Sequence, residues 1–170
     1  MNHASRPVGG DDFAFAIRDA LTGQDVEEAR LLFAEYARWL GEDLCFQGFA
    51  AELAGLPGDY VPPRGRLLLV GPPGRAFGCV ALRPLDGRVG EVKRMYVQPA
   101  RRGEGWGRRL AAAILTQAQA IGYRELVLDT LSRLAAARAV YAELGFEECA
   151  PYYDNPLPGV VYMKLRLAPG

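Results

Sequence analysis

The sequence predicts an α/β fold in which a mixed, mostly antiparallel sheet is flanked by helices. Three observations lead to this prediction. The 170 residues suit one domain with a buried core. Half of the residues are apolar and 24% are charged, which is the profile of a globular chain. Segments typical of strands follow one another in the middle of the chain, whereas later ones are separated by segments typical of helices.

The N-terminal third is predicted to form a strand and two helices. Residues 1–12 are expected to form a flexible tail, so that a single domain spans 13–170. Alternating apolar residues predict a strand at 13–17, and apolar residues at helical spacing predict a helix over 22–40. A second, short helix is predicted over 46–54.

The rest of the chain begins with a predicted hairpin, in which strands 66–70 and 75–83 are joined by the Gly- and Pro-rich turn 71–74. The remaining predicted elements are strand 91–97 ended by Pro99, helix 105–121 stopped by Gly122, strand 126–128, helix 132–144 stopped by Gly145, a Pro-rich loop 151–158 and strand 160–167.

The composition excludes several classes of protein. The three cysteines are odd in number, far apart and without a C-x-x-C pair, which argues against a disulfide scaffold or a zinc ribbon. The single histidine, His3, lies in the predicted tail, so we expect no bound metal and no histidine base. No apolar run reaches the roughly 18 residues of a membrane helix, and the N-terminus lacks the pattern of a secretory signal. We therefore expect a cytoplasmic protein with no membrane partner.

Charge is balanced overall but unevenly distributed. Residues 1–60 contain four basic and eleven acidic residues, whereas residues 88–110 contain seven basic and two acidic residues. The basic segment favours an anionic ligand. Because the chain is neutral overall, with a pI near 6.6, we expect a small polyphosphate rather than a nucleic acid.

The most informative segment is a glycine loop at residues 97–107, where a strand end, a tight turn and a helix start follow one another. Glycines at 103, 105 and 107 would leave backbone N–H groups open to a diphosphate at the helix N-terminus. The spacing G-x-G-x-G differs from the G-x-G-x-x-G of dinucleotide-binding folds, and no Gly-Lys-Ser/Thr follows, so neither a Rossmann fingerprint nor a Walker loop is predicted.

Two motifs in this sequence resemble those of the GCN5-related N-acetyltransferases (GNAT). Residues 102–107, Arg-Gly-Glu-Gly-Trp-Gly, match the R/Q-x-x-G-x-G/A signature of that family, and residues 137–146 resemble its A-x-x-L-Y-x-x-x-G-F segment. The resemblance covers roughly residues 66–167. It implies the GNAT fold, with a sheet splayed near Val97, and acetyl-CoA as cosubstrate. One departure is Leu134, where many members of the family have an asparagine that contacts the cofactor.

The resemblance also implies a set of site residues. A backbone N–H near Val97 would stabilise the carbonyl oxygen as it gains charge. The residues expected to bind the cofactor are Met95, Tyr96, Val97, Arg102, Gly103, Glu104, Gly105, Trp106, Gly107 and Arg108.

Tyr141 matches the tyrosine that protonates the departing sulfur in many members of the family. A phenol suits this role because it remains mostly protonated at neutral pH. The alternative is structural, since Tyr141 shares a helical stripe with Ala137 and Leu144 and could be a core aromatic residue.

Glu91 lies eleven residues before Arg102, the offset at which histone-type relatives place a general base. Its neighbours in the strand are apolar or long, which fits a partly buried carboxylate. Two alternatives remain open: an exposed residue that pairs with Arg88 or Lys93, and a proton route through water.

These features predict direct transfer of an acetyl group to a primary amine of a small molecule or peptide. The acidic N-terminal third and the loop 151–158 would form the acceptor site and attract a cationic amine, unless those acids are only solvated helix faces. Asp129 and Thr130 end a strand and are equally suited to ligand contact or to helix capping. The alternative function is a non-catalytic acyl-CoA-binding module. Pairing of an edge strand would give a homodimer. The acidic residues and aromatic walls considered for the acceptor site are Trp39, Glu42, Asp43, Phe46 and Phe49.

Overall fold

The computed structural model describes residues 15–169 of the chain. The helices are α1 (Gly23–Leu40), α2 (Phe49–Gly55), α3 (Trp106–Ile121) and α4 (Ala135–Glu143), and the strands are β1 (Ile17–Asp19), β2 (Arg66–Val70), β3 (Gly78–Asp86), β4 (Val89–Val97), β5 (Glu125–Leu131), β6 (Glu147–Cys149) and β7 (Val160–Arg166). Within this range no helix has both the length and the apolar character needed to cross a bilayer.

All seven strands form one sheet in the order β1-β2-β3-β4-β5-β7-β6. Neighbouring strands are antiparallel except β4 and β5, which run parallel. The chain reaches β5 from β4 through α3, as a parallel pair requires a crossover. This topology confirms the predicted mixed, mostly antiparallel α/β fold and excludes a doubly wound nucleotide-binding sheet.

The parallel pair is joined over three residue positions, from Val89 opposite Glu125 to Glu91 opposite Val127. Beyond these positions β4 and β5 diverge. A bulge lies in β4 where they separate: the register against β3 shifts between Cys79 and Ala81, and Arg94 has φ 57°. A bulge bends its strand and redirects side chains, so the opening in the middle of the sheet coincides with a local irregularity of β4.

Two hydrophobic layers cover the faces of the sheet. On one face Leu110 and Ile114 of α3 pack against residues such as Val80 and Leu126. On the other face the buried side of α1, including Phe33, packs against β2 and β3. The helix α1 begins at a capping box, in which Thr22 and Asp25 satisfy each other's backbone N–H groups. The capping box therefore fixes where α1 begins, and the packing of its buried face fixes how it lies on the sheet.

Most predicted elements are present, with shifted ends. The strand predicted at 75–83 lies at Gly78–Asp86, because residues 71–77 form the turn that joins it to β2. The strand predicted at 126–128 is longer, since every residue of β5 has a partner in β7. Strand β6 was not predicted because its three residues show no apolar alternation. The opening strand lies at Ile17–Asp19 rather than 13–17, and the predicted tail 1–12 falls outside the described residues.

Candidate functional site

A cavity occupies the opening between β4 and β5. Its walls come from α1 and the segment after it, the diverging halves of β4 and β5, one side of α4 and the loop before β7. The residues that line it are Tyr36, Trp39, Leu40, Leu44, Gln47, Val92, Lys93, Arg94, Met95, Asp129, Thr130, Leu131, Leu134, Ala137, Tyr141, Asn155 and Leu157. Its wall combines apolar and aromatic side chains with several polar and charged ones, which can orient a small molecule.

Arg94 is buried in the wall of this cavity, at the bulge of β4. Its Nε donates a hydrogen bond of 2.8 Å to Glu52 Oε2, and its Cζ lies 4.9 Å from the centre of the Phe49 ring. Burial is the largest single effect and lowers the pKa of Arg94, but the combined effects of Glu52, Tyr60 and Tyr36 exceed it and raise that pKa. Among the described residues, its Nη2 is buried and has no hydrogen-bond partner.

Lys93 is also buried, and its Nζ donates to Gln47 Oε1 at 3.3 Å. Glu91 Oε2 lies 3.9 Å from the same nitrogen. Burial lowers the pKa of Lys93 even though Glu91 acts in the opposite direction. Two consecutive basic residues of β4 therefore contribute cationic groups to a largely buried site.

Asp129, near the end of β5, is the acidic residue in the wall of the cavity. Its Oδ2 accepts hydrogen bonds from the hydroxyl of Tyr153 and from Asn155 Nδ2, the latter at 2.7 Å. Asn155 Oδ1 in turn accepts from the backbone N–H of Leu157 at 3.0 Å. This network holds the loop before β7 against the opening of the sheet.

Tyr141, from α4, is buried and lines the cavity. Its hydroxyl faces Met95 Sδ at 3.7 Å, and its ring packs edge-on against Phe146. Burial raises the pKa of Tyr141. The hydroxyl is therefore protonated at neutral pH, and its partner is a thioether, which is a weak acceptor. A stronger acceptor placed in the cavity could replace that contact.

Glu91 is 1% exposed and is absent from the cavity wall. Its two carboxylate oxygens are engaged, Oε1 by Arg83 Nε at 2.7 Å and Oε2 by the hydroxyl of Tyr152 at 2.7 Å. Glu91 thus joins β3 and β4 to the loop before β7. The sequence-based alternative was an exposed residue that pairs with Arg88 or Lys93; Glu91 is buried rather than exposed, but Lys93 Nζ does lie 3.9 Å from its Oε2.

The glycine loop is open to an external ligand. A Cβ atom added at Gly103, Gly105 or Gly107 would have no atom of the protein within 4 Å. Gly103 and Gly105 have φ of 82°, a backbone conformation that favours glycine. Gly105 is the N-cap of α3 and has no side chain to accept from the first-turn N–H groups. These donors, at the positive end of the helix dipole, suit an anion.

The side chains around this loop have varied partners. Arg102 donates from Nε to the carbonyl oxygen of Val97 at 3.0 Å, and its Cζ lies 4.3 Å from the centre of the Trp39 ring. Arg108 forms an exposed ion pair with Glu143.

Trp106 is buried in the core beneath the loop, and its Nε1 donates to Glu104 Oε2 at 2.9 Å. Met95 lines the cavity, whereas Tyr96 points to the opposite layer and packs near Tyr36 and Trp39.

The structure thus brings Met95 and Tyr141 together in the cavity and leaves Glu91 behind it. Of the residues considered for the acceptor side, Trp39 lines the cavity, but Glu42 pairs with Arg133 and Asp43 accepts from the backbone N–H of Cys45. Lys93 and Arg94 were not predicted from the sequence as cavity residues. Their signal was two consecutive basic residues in a strand that, apart from Glu91, is otherwise apolar.

Comparisons with known proteins agree with this geometry. The sequence profile of the acetyltransferase (GNAT) family matches residues 28–146. An uncharacterised N-acetyltransferase of Schizosaccharomyces pombe is 41% identical over 147 residues, which is 85% of this chain and 90% of that protein. An acetyltransferase structure from Streptococcus agalactiae aligns with a TM-score of 0.75 and 17% identity over 91% of this chain and 99% of that one.

A structure from Salmonella typhimurium described as an acetyltransferase with its cofactor acetyl-CoA aligns with a TM-score of 0.64 and 22% identity, over 91% of this chain and 95% of that one. The two structures resemble this chain in fold. The family profile and the yeast protein resemble it in sequence. Together with the splayed sheet and the open glycine loop, they show that this chain belongs to the GNAT acetyltransferase family.

Proposed function

We propose that this protein transfers the acetyl group of acetyl-CoA directly to a primary amine of a small molecule or peptide. The observation that carries the proposal is the joint presence of an open anion site at the start of α3 and a cavity next to it that contains a protonated tyrosine. The donor and the acceptor would approach the opening in the sheet from different sides.

The glycine loop fits the diphosphate of coenzyme A. The three glycines leave space where side chains would otherwise stand, and the N-cap of α3 leaves its first-turn N–H groups unsatisfied by any side chain. Gly103 to Arg108 would hold the diphosphate, with Arg102 and Arg108 adding charge. When bound, acetyl-CoA supplies an activated acyl group on a thiol leaving group.

Tyr141 would donate its proton to the departing sulfur. Its hydroxyl already points at a sulfur atom, Met95 Sδ, in the wall of the cavity. Burial raises the pKa of the phenol and keeps it protonated at neutral pH, so a proton is available as negative charge develops on the departing sulfur. The backbone N–H near Val97 remains our proposal for the donor to the carbonyl oxygen.

For the proton of the amine, the geometry favours a route through water in the cavity. Glu91 would need to give up a hydrogen bond to Tyr152 or Arg83 before it could accept that proton. We therefore propose that Glu91 acts as a positioning residue for the loop before β7. A pH profile of Glu91→Gln would test the alternative, predicted from the sequence, that Glu91 is the general base.

The competing function is an acyl-CoA-binding module without catalysis. Such a module needs the glycine loop. It needs neither a tyrosine hydroxyl nor buried polar groups in the cavity between β4 and β5. The test is release of free thiol from acetyl-CoA by the purified protein, with and without a library of primary amines. We expect release that depends on an amine. Binding of acetyl-CoA without release across the whole library would favour the module.

A further inference from the structure

Arg94 has a hydrogen-bonding capacity that the protein does not use. Within residues 15–169, Nε of its guanidinium donates a hydrogen bond to Glu52, whereas Nη2 is buried and has no hydrogen-bond partner. A buried polar group without a partner carries a desolvation cost, and such a group in a native protein calls for an explanation. A bound ligand that accepts a hydrogen bond would supply one.

The position of Arg94 points to the acceptor cavity. Arg94 lines that cavity together with Lys93, and its backbone at φ 57° belongs to the bulge at which β4 turns away from β5. In a regular strand, side chains would continue to alternate between the two faces of the sheet. The bulge interrupts this alternation and places Arg94 in the wall of the cavity.

The guanidinium keeps hydrogen-bonding capacity for an anion, although one carboxylate already pairs with it. Glu52 lies at Nε and leaves the two terminal nitrogens free of it. The ring of Tyr36 lies 6.0 Å from Cζ, and burial raises the pKa of Tyr36 although Arg94 opposes this. Lys93 adds a second cationic group. Asp129 is already engaged by Tyr153 and Asn155.

The acidic residues predicted to attract a cationic amine are engaged elsewhere. Glu42 pairs with Arg133 at 3.2 Å, and Asp43 accepts from the backbone N–H of Cys45 at 2.9 Å. Arg94 and Lys93 also have acidic partners, Glu52 and Glu91, but unlike Glu42 and Asp43 they line the cavity. A planar guanidinium is matched in shape and charge by a carboxylate, which can accept two parallel hydrogen bonds.

We propose that Arg94 binds a carboxylate group of the acceptor, so that the preferred acceptors are amino acids and related amines that carry a carboxylate close to the amine. This inference deepens the proposed function and rests on it. It excludes polyamines and other purely cationic amines as preferred substrates.

The first test uses the unmodified protein and matched acceptors. Thiol release from acetyl-CoA is measured with L-phenylalanine, phenylalaninamide and phenethylamine, and with L-leucine, leucinamide and isoamylamine. We expect kcat/KM for the free amino acid to exceed that of its amide and its decarboxylated amine by roughly 10- to 100-fold, the value of one charge-assisted hydrogen bond. Equal or better use of the uncharged or cationic partner would overturn the proposal.

A variant separates substrate binding from a structural role. Arg94→Lys keeps the positive charge beside Glu52 but loses the planar fork, so the preference for the amino acid over its amide should fall about tenfold. The control is Arg133→Lys, in an ion pair outside the cavity wall, which should leave that preference unchanged. An Arg94→Lys protein that is folded by circular dichroism and keeps the full preference would contradict the role of Arg94.

A binding measurement distinguishes failure of this inference from failure of the proposed function. If no acceptor in the library causes thiol release, the catalytic proposal fails. Calorimetry with L-phenylalanine and phenylalaninamide, in the presence of coenzyme A, then tests the carboxylate alone. Binding of the acid but not of the amide would support the inference. Equal affinity for the acid and the amide would contradict it.

Discussion

The glycine loop and the cavity between β4 and β5 are built by different means. The loop is one continuous segment, from Gly103 to Gly107, and it offers backbone N–H groups and empty space. The cavity is assembled from side chains of α1, β4, β5, α4 and the loop before β7.

We infer that the loop is suited to binding the donor, and that the cavity is suited to selecting the acceptor. On our proposal, backbone donors would recognise the same diphosphate in any sequence that keeps the glycines. Side chains from several elements can change one by one, so residues such as Arg94 and Asp129 would define the acceptor. The following predictions test whether the two regions are as separable as this comparison claims.

The largest effect is expected at Tyr141. Tyr141→Phe should lower kcat by about 100-fold or more, because loss of a general acid typically costs that much, while coenzyme A affinity stays unchanged. The measurement combines thiol-release kinetics with calorimetry. The control is Tyr123→Phe, which removes a hydroxyl that donates to the carbonyl of Arg64 away from the site. Undiminished kcat in Tyr141→Phe would return this residue to a purely structural role.

The next effect concerns the loop alone. Gly107→Val should weaken coenzyme A binding roughly 100-fold, because a side chain in the open space displaces the diphosphate from charge-assisted hydrogen bonds of about 1.5–3 kcal/mol each. Gly107 lacks the positive φ of Gly103 and Gly105, so no backbone strain is introduced.

Gly23→Val is the matched control for this variant. Gly23 also lies in the first turn of a helix, with open space around its Cα and no positive φ. Both variants should retain similar melting temperatures, and the control should bind coenzyme A as the unmodified protein does. Equal affinity in the two variants would mean that the diphosphate lies elsewhere.

A smaller effect is expected at Glu91. Glu91→Gln keeps the size of the side chain but weakens the link from Arg83 to Tyr152, so kcat/KM should fall by about tenfold through a looser loop. The acid limb of the pH profile should remain, since the proton leaves through water in this account. Disappearance of that limb would instead identify Glu91 as the general base.

The smallest effect is expected at Arg108. Its ion pair with Glu143 is exposed, with 58% and 62% of the two side chains accessible, and such pairs contribute little. Arg108→Ala should reduce coenzyme A affinity by only about two- to fivefold, and less at high salt because exposed charges are screened. A loss comparable to that of Gly107→Val would show that side-chain charge, rather than backbone, dominates the donor site.

The conformation of the glycine loop was predictable from the sequence because its signal is local. A contiguous glycine pattern at a strand end fixes both the backbone conformation and the open N-terminus of α3. The order of elements was predictable for the same reason, since hydrophobic periodicity and Gly or Pro stops act over short distances. The end of β5 was missed because its length is set by pairing with β7, which is distant in sequence.

The wall of the cavity between β4 and β5 could not be predicted in detail from the sequence, because it depends on tertiary structure. No local pattern announces that β4 has a bulge at Arg94, or that Glu91 is held by Arg83 and Tyr152. The acidic residues of the N-terminal third formed a clear sequence pattern, yet Glu42 and Glu52 pair with arginines far along the chain, Arg133 and Arg94. Charge counts along a sequence do not reveal which charges are already paired.

The central claim is that backbone N–H groups at the start of α3 bind the diphosphate of coenzyme A. A crystal structure of the protein with coenzyme A tests it most directly. We predict diphosphate oxygens within about 2.7–3.2 Å of N–H groups of residues 103–108, with the thiol end reaching the opening between β4 and β5. A diphosphate bound elsewhere, with the glycine loop unoccupied, would contradict the account.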